Sequence, residues 1–270
     1  MTAKIALLLA DVDGTLVTQK KVLTEAACEA VRDLRLAGIR FAVTSGRPPR
    51  GMAMLVAPLA IDTPLAGFNG GTFVDADMTV IEERRLDAAV ARQTLAAFPA
   101  HRLDAWLYTG KDWFVTRADA PHVEHEAWTV KFAATVVAEF SAEHLAQAVK
   151  LVGVSDDVAA VEACETALQG QLGHGASVAR SQPYYLDVTN PNANKGAVVH
   201  ELANRLQIAP EEIATIGDMP NDVLMFRQSG MSIAMGNASD QVKAEASAVT
   251  ESNEQDGFAH AVRRFILDAR

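Results

Sequence analysis

Asp11 and Asp13 stand one residue apart where an apolar run, Ile5 to Ala10, breaks into Asp11-Val12-Asp13-Gly14-Thr15-Leu16. An apolar run bounded by charge is the pattern of a buried strand in a parallel sheet, and in open α/β sheets ligands bind beyond the strands' carboxyl ends. If the strand geometry persisted, both carboxylates would point to one face, where their repulsion calls for a shared cation. Hard oxygen ligands in an incomplete cage suit magnesium. The same stretch also reads as two solvated turn aspartates, since Asp-Gly is a common turn pair. Residues far along the chain must decide.

Ile213-Ala214-Thr215-Ile216-Gly217-Asp218 is a second apolar strand ending in a carboxylate, followed by Met219-Pro220-Asn221-Asp222 at a helix start. Asp218 could complete the cation site of Asp11 and Asp13, or simply cap the helix. Lys195, opening the helix after Asn194, is oddly placed because the positive helix end prefers anions. A bound phosphate explains it; an exposed lysine with its stem along the surface is the plainer reading. Ser45 and Gly46 offer a hydroxyl and backbone N–H groups at another helix start, either a phosphate cradle or an ordinary cap.

The elements that would position these groups alternate. Thr24 can cap a helix with Ala27, Val31 and Leu34 on one face and Gly38 at its stop. Ile39 to Val43 is a second strand, ending in Thr44-Ser45-Gly46-Arg47 before Pro48 enters the first turn of a helix. Pro64 to Phe68 is a third strand, followed by the turn Asn69-Gly70-Gly71 and the segment Thr72 to Val74. Alternation of this kind predicts a right-handed parallel α/β layer. From about Glu82 it breaks down. There the sequence predicts a helix at Asp87 to Phe98, extended stretches at Trp106 to Tyr108 and Trp113 to Val115, a strand at Lys131 to Val137, a helix at Glu143 to Val152 and a strand at Tyr184 to Val188. That block reads as an inserted α+β domain. Alternation resumes at Asn194 and ends in a helix from about Phe258 that buries Val262, Phe265 and Ile266.

With 24 basic against 34 acidic residues in 270, the net charge of -10 argues against nucleic acid and anionic membrane surfaces as general partners. Cys28 and Cys164 lie far apart without a metal-binding spacing and are expected to be reduced packing residues. The apolar run after Lys4 is too short for a signal peptide, and no stretch approaches the roughly 18 to 20 apolar residues of a membrane span. The expectation is a cytoplasmic enzyme, monomeric or weakly self-associating.

Four segments together resemble the haloacid dehalogenase superfamily, specifically its Cof-type (subfamily IIB) sugar-phosphatase group. Asp11 to Leu16 is similar to the first motif, Ser45-Gly46-Arg47 to the second, Lys195-Gly196 to the third and Gly217 to Asp222 to the fourth. Asn69-Gly70-Gly71 is similar to a further signature that more often ends in alanine, and serine stands at position 45 where threonine is commoner. Neither departure removes a group the chemistry needs. The resemblance covers essentially the whole chain. It implies a Rossmann-like parallel core over residues 1–82 and 188–270, with an α+β cap of the C2B type over residues 83–187.

What the resemblance implies chemically is phosphoryl transfer to a carboxylate, with Asp11 as nucleophile and Asp13 as acid and then base. Magnesium would be held by the Asp11 and Asp218 side chains and the backbone carbonyl of Asp13. Ser45, the Gly46 amide, Lys195 and Asn221 would hold the phosphoryl group of a small metabolite, with Asp222 orienting Lys195 and Arg47 supporting. Trp106, Tyr108, Trp113, His122 and His125 are candidates for the cap's substrate surface, although packing suffices for the aromatics and a plain loop for the histidines. A phosphomutase would share Asp11, Asp13 and Lys195, and a non-catalytic metabolite-binding module could use the same fold. A nucleotide-sugar transferase shares only the Asp-x-Asp pair, and no G-x-G-x-x-G follows a strand to suggest a dinucleotide.

Overall fold

The computed structural model describes residues 4–268. Eight strands form one sheet in the spatial order Ala248–Val249, Met231–Ala234, Ile213–Gly217, Leu7–Asp11, Arg40–Thr44, Leu65–Gly67, Thr72–Val74, Val80–Glu83. The first six run parallel, and Thr72–Val74 is antiparallel to the neighbours on both of its sides, so that Val80–Glu83 runs with the six. Leu7–Asp11 therefore lies inside the sheet, covered on both faces. Its alternation divides the core: Leu8 and Ala10 join one apolar cluster, Leu7 and Leu9 the other.

Helices close both faces for reasons visible in their sequences. Glu25–Leu36 is capped by the Thr24 hydroxyl, which accepts from the Ala27 N–H at 3.2 Å, and it buries Ala27, Ala30, Val31 and Leu34 at helical spacing. Gly38, at φ +74°, supplies the left-handed turn that stops it. Phe258, Val262 and Ile266 from the last helical segment pack into the same cluster, while Phe265 is only partly buried. On the opposite face the helix Lys195–Leu206 buries Val198, Val199, Leu202 and Ala203.

A second sheet has six strands in the order Ser177–Gln182, Tyr185–Thr189, Lys150–Val154, Asp104–Tyr108, Trp113–Val115, Thr135–Val136. One face is covered by the helices Ala88–Ala100 and Val158–Leu172 through Ala91, Phe98, Val161, Cys164 and Leu168. The other carries Trp106, Tyr108, Trp113 and Tyr185, which pack with Phe68 of the first sheet's loops. Cys28 and Cys164 are both free. Among the described residues no helix is long and apolar enough to cross a membrane.

The second sheet corrects three expectations. The helix expected at Glu143 to Val152 is only Ala142–Ala146, and Lys150–Val154 is a strand between two others. Its residues are all buried, Lys150 among them, so no alternation of polar and apolar positions tells a strand from a helix there. The strand expected at Lys131 to Val137 is reduced to Thr135–Val136, because Lys131 at φ +66° ends a helix, Val123–Val130, not foreseen in the sequence. His125 therefore stands on a helix and His122 at its start, not in a plain loop.

Candidate active site

The strands Leu7–Asp11 and Ile213–Gly217 pair in parallel, Ala10 opposite Ile216, so Asp11 and the segment after Gly217 emerge together. Lys195 enters from the first position of its helix, which is capped by Asn194. It is not an exposed surface lysine: with 1% relative exposure, its Nζ donates to Asp11 Oδ1 and to Asp222 Oδ1 at 2.5 Å each. Burial alone would lower its pKa, but Asp11 and Asp222 outweigh that and hold the ammonium charged well above its ordinary range.

Carboxylate oxygens of Asp11, Asp218 and Asp222 lie within 4.8 Å of one another. Burial pushes the Asp11 carboxyl well up, with Lys195 pulling it back and Asp222 and Asp218 adding repulsion. Asp218 is pushed up to about 7, first by burial and then by Asp222. Such a set favours either protons or a hard dication. Asp218 caps no helix: the next one begins at Val223, and Asp218 instead accepts from Thr15 Oγ1 at 3.3 Å and Asn237 Nδ2 at 3.1 Å. Asp222 is fully buried, and its Oδ2 accepts from the Asp218 and Met219 N–H groups at 2.9 and 2.8 Å. With Oδ1 on Lys195, Asp222 is committed to shaping the turn and holding the lysine, which leaves Asp11 and Asp218 as the freer oxygen donors.

Asp13 does not share that cluster. The strand ends at Asp11 and Gly14 turns at φ +81°, so the alternation that would have aligned the two side chains stops. Arg47 grips Asp13 with Nε on Oδ2 at 2.6 Å and Nη2 on Oδ1 at 2.7 Å, and Lys21 Nζ reaches Oδ1 at 2.5 Å. Burial would raise this carboxyl, but Arg47 and Lys21 prevail and hold it below its ordinary value. A Cβ on Gly14 would collide with the Asp218 carboxylate, so this position needs glycine for space as well as for φ.

Ser45 and Gly46 do not begin a helix. A 3₁₀ turn starts only at Pro49 and the helix Ala53–Leu59 follows it. The Ser45 hydroxyl accepts from the Arg47 N–H at 3.1 Å, while the Asn69 N–H donates to the Ser45 carbonyl at 2.8 Å and the Phe68 N–H to the Arg47 carbonyl at 2.9 Å. These bonds tie the Ser45 loop to the Asn69-Gly70-Gly71 turn. Asn69 Oδ1 in turn accepts from Asn221 Nδ2 at 3.2 Å, while Asn221 Oδ1 is buried without a partner.

Lys21 and Asn237 escaped the sequence reading. Asn237 was detectable in principle, since Gly236-Asn237 follows another parallel core strand, Met231–Ala234. Lys21 had no signal beyond a basic residue in a turn. Of the cap candidates, Trp106, Tyr108 and Trp113 lie buried on the second sheet's face toward Phe68. His122 is taken up by Asp156 at 2.8 Å and stacks on Tyr184, and His125 stacks on Trp128.

Residues 8–262 match the haloacid dehalogenase-like hydrolases, and the chain belongs to that family. It is 25% identical to the 5-amino-6-(5-phospho-D-ribitylamino)uracil phosphatase YcsE of Bacillus subtilis, over 97% of this chain and 96% of that one. It is 28% identical to the pyridoxal phosphate phosphatase YbhA of Escherichia coli, over 99% and 100%. A haloacid dehalogenase-like hydrolase from Bacteroides thetaiotaomicron superposes with a TM-score of 0.89 at 28% identity, over 97% of this chain and 99% of that one. The chain spans only about half, 47%, of the chloroplastic endoribonuclease YBEY of Arabidopsis thaliana, to which it is 26% identical over 97% of its own length.

Proposed function

We propose that this chain is a magnesium-dependent phosphomonoesterase of small phosphorylated metabolites, sugar phosphates foremost, working in the cytoplasm through an aspartyl-phosphate on Asp11. The observation that carries the reading is the buried Lys195, shared by Asp11 and Asp222 beside Asp218. Burying charge in this way is a poor means of gaining stability, whereas an anion-transferring site requires it. The phosphatases YcsE and YbhA, similar along their whole lengths, support the same chemistry.

The donors fit magnesium: Asp11 and Asp218 offer carboxylate oxygens close together, and the family resemblance would add the backbone carbonyl of Asp13. Bound there, the ion would neutralise charge on the phosphoryl oxygens. A carboxylate 4 Å from one negative charge meets about 4 kcal/mol of repulsion at an effective dielectric of 20, and a phosphate monoester carries nearly two charges. Lys195 offsets part of that barrier directly.

An Asp11 oxygen bonds to phosphorus as the ester P–O bond breaks, and Asp13 gives its proton to the departing oxygen. Asp13 then takes a proton from the water that attacks phosphorus, releasing phosphate and restoring Asp11. Arg47 and Lys21 favour the ionised, proton-accepting form of Asp13, so donation requires it to leave their grip carrying a proton. Ser45, the Gly46 amide and Asn221 orient the phosphoryl oxygens. Residues 83–187 act as a cap that excludes water over a core of residues 1–82 and 188–270.

The test is magnesium-dependent phosphate release from a panel of phosphorylated metabolites, with Asp11→Asn as the blank. Release confined to the wild type with metal supports the reading. Release that persists in Asp11→Asn contradicts the nucleophile, and none from any ester contradicts the phosphatase.

A further inference from the structure

Three loop segments meet at the Asn237 side chain. Its Nδ2 donates to the Gly14 carbonyl at 2.9 Å and to Asp218 Oδ2 at 3.1 Å, and its Oδ1 accepts from the Asn253 N–H at 3.1 Å. Gly14 belongs to the turn after Leu7–Asp11, Asp218 follows Ile213–Gly217, and Asn253 opens a 3₁₀ turn, Asn253–Gln255, beyond the edge strand Ala248–Val249. Asn237 itself comes after Met231–Ala234, so its amide reaches across the end of Ile213–Gly217 to the turn on the far side.

Only one orientation of that amide satisfies all three partners. A backbone N–H cannot accept and a carbonyl cannot donate, so Oδ1 must face Asn253 and Nδ2 must face Gly14, which aims the second N–H at the Asp218 carboxylate. The partners are pinned in turn. Asn253 is buried and its Nδ2 donates to the Val17 carbonyl at 3.0 Å, while the Gln19 N–H donates to Glu254 Oε1 at 2.7 Å and Thr24 Oγ1 to Asp256 Oδ1 at 2.9 Å. The Gly236 N–H donates to the Glu251 carbonyl at 2.9 Å, which fixes the approach of Asn237 to the same turn.

The other oxygen of Asp218, Oδ1, accepts from Thr15 Oγ1 at a longer 3.3 Å, so the Asn237 bond is the tighter restraint on how the carboxylate is turned. Outer partners of a metal ligand set its direction before the ion arrives. Hard cations differ in how much that matters: magnesium demands a near-octahedral shell of short contacts, whereas calcium accepts longer and less regular ones. A carboxylate free to swing therefore costs magnesium more than calcium. We infer that Asn237 is a positioning residue that holds Asp218 in one orientation and thereby tilts the site toward magnesium and away from calcium. This rests on the reading of Asp218 as a metal ligand given above.

Asn237 is exposed, so truncating it leaves no cavity and the hydrogen bonds are what is lost. Calorimetric titration of chelator-treated protein with magnesium chloride and, separately, with calcium chloride tests the inference without substrate. Asn237→Ala is expected to raise the magnesium Kd by roughly 10- to 100-fold. The calcium Kd should rise by less than about threefold, so the preference moves toward calcium. A merely structural role would weaken both ions together or neither, and an unchanged ratio of the two affinities overturns the inference while leaving the magnesium reading intact. A shifted ratio upholds Asn237 even if no ester is hydrolysed and the phosphatase reading fails. A wild type that binds neither ion overturns both the inference and the magnesium reading.

Discussion

Arg47 holds Asp13 through two parallel hydrogen bonds, Nε to Oδ2 at 2.6 Å and Nη2 to Oδ1 at 2.7 Å. The guanidinium is itself fixed by Nη1 on the Gly51 carbonyl at 3.1 Å, so the fork sets the direction of the carboxylate as well as its charge. Lysine cannot reproduce that planar grip. Arg47→Lys is expected to lower kcat by roughly 10- to 100-fold, because the ionised Asp13 that takes the proton of the attacking water would lose its direction. Steady-state kinetics at saturating magnesium would check it, and wild-type kcat in the variant would show that Asp13 needs no such guide.

Removing the Lys195 ammonium leaves Asp11 and Asp222 buried without their cation. Lys195→Met is therefore expected to destabilise the metal-free protein by about 3–5 kcal/mol, as when one partner of a buried pair is lost, and to abolish phosphate release. Urea unfolding with a chelator present measures the first effect. An unchanged midpoint would mean that the carboxylates do not depend on the lysine.

Gly14 combines a positive φ with a Cβ position on the Asp218 carboxylate. Gly14→Ala should cost about 1–3 kcal/mol of stability from backbone strain alone. By displacing Asp218 it should also raise the magnesium concentration for half-maximal activity roughly tenfold. A magnesium titration of activity decides. An unaltered metal requirement would remove Asp218 from the proposed ligand set.

Glu126 carries a pH prediction. Burial raises its folded pKa, so above its unfolded value of about 4.3 the native state binds more protons than the unfolded state. Its contribution to stability therefore falls as pH rises through that window. Glu126→Gln removes the ionisation, so the stability of the variant relative to wild type should be more favourable at pH 7.5 than at pH 4.5. Denaturant unfolding at both pH values tests the sign, and a pH-independent difference would contradict it.

The core was legible because each of its strands ends in its own chemistry. Apolar runs stopping at Asp11, Ser45 and Asp218 could be read as parallel strands converging on one edge, and the pairing of Ala10 with Ile216 and of Asp11 with Thr44 shows that convergence. The details at that edge were less legible. Whether Asp13 faces the cluster or Arg47 depends on the strand ending at Asp11, and the distance from Ser45 to the next helix depends on a 3₁₀ turn that two consecutive prolines impose. In the second sheet, Lys150–Val154 is buried on both faces, and Val123–Val130 is flanked by residues with positive φ, His122 and Lys131. Neither pattern announces itself by periodicity. Asp218, Asn237 and Asn253 come from three separate segments, and only the tertiary fold brings them together.

The central claim is that Asp11 becomes covalently phosphorylated. Mixing enzyme, magnesium and a turned-over phosphate ester, quenching with acid within one turnover and mapping peptides by mass tests it directly. The account predicts one phosphoryl group on the peptide containing Asp11 and none when Asp11→Asn is treated identically. Steady phosphate release by the wild type with no phosphorylated Asp11 at any quench time would contradict it, because the water would then be attacking the substrate itself.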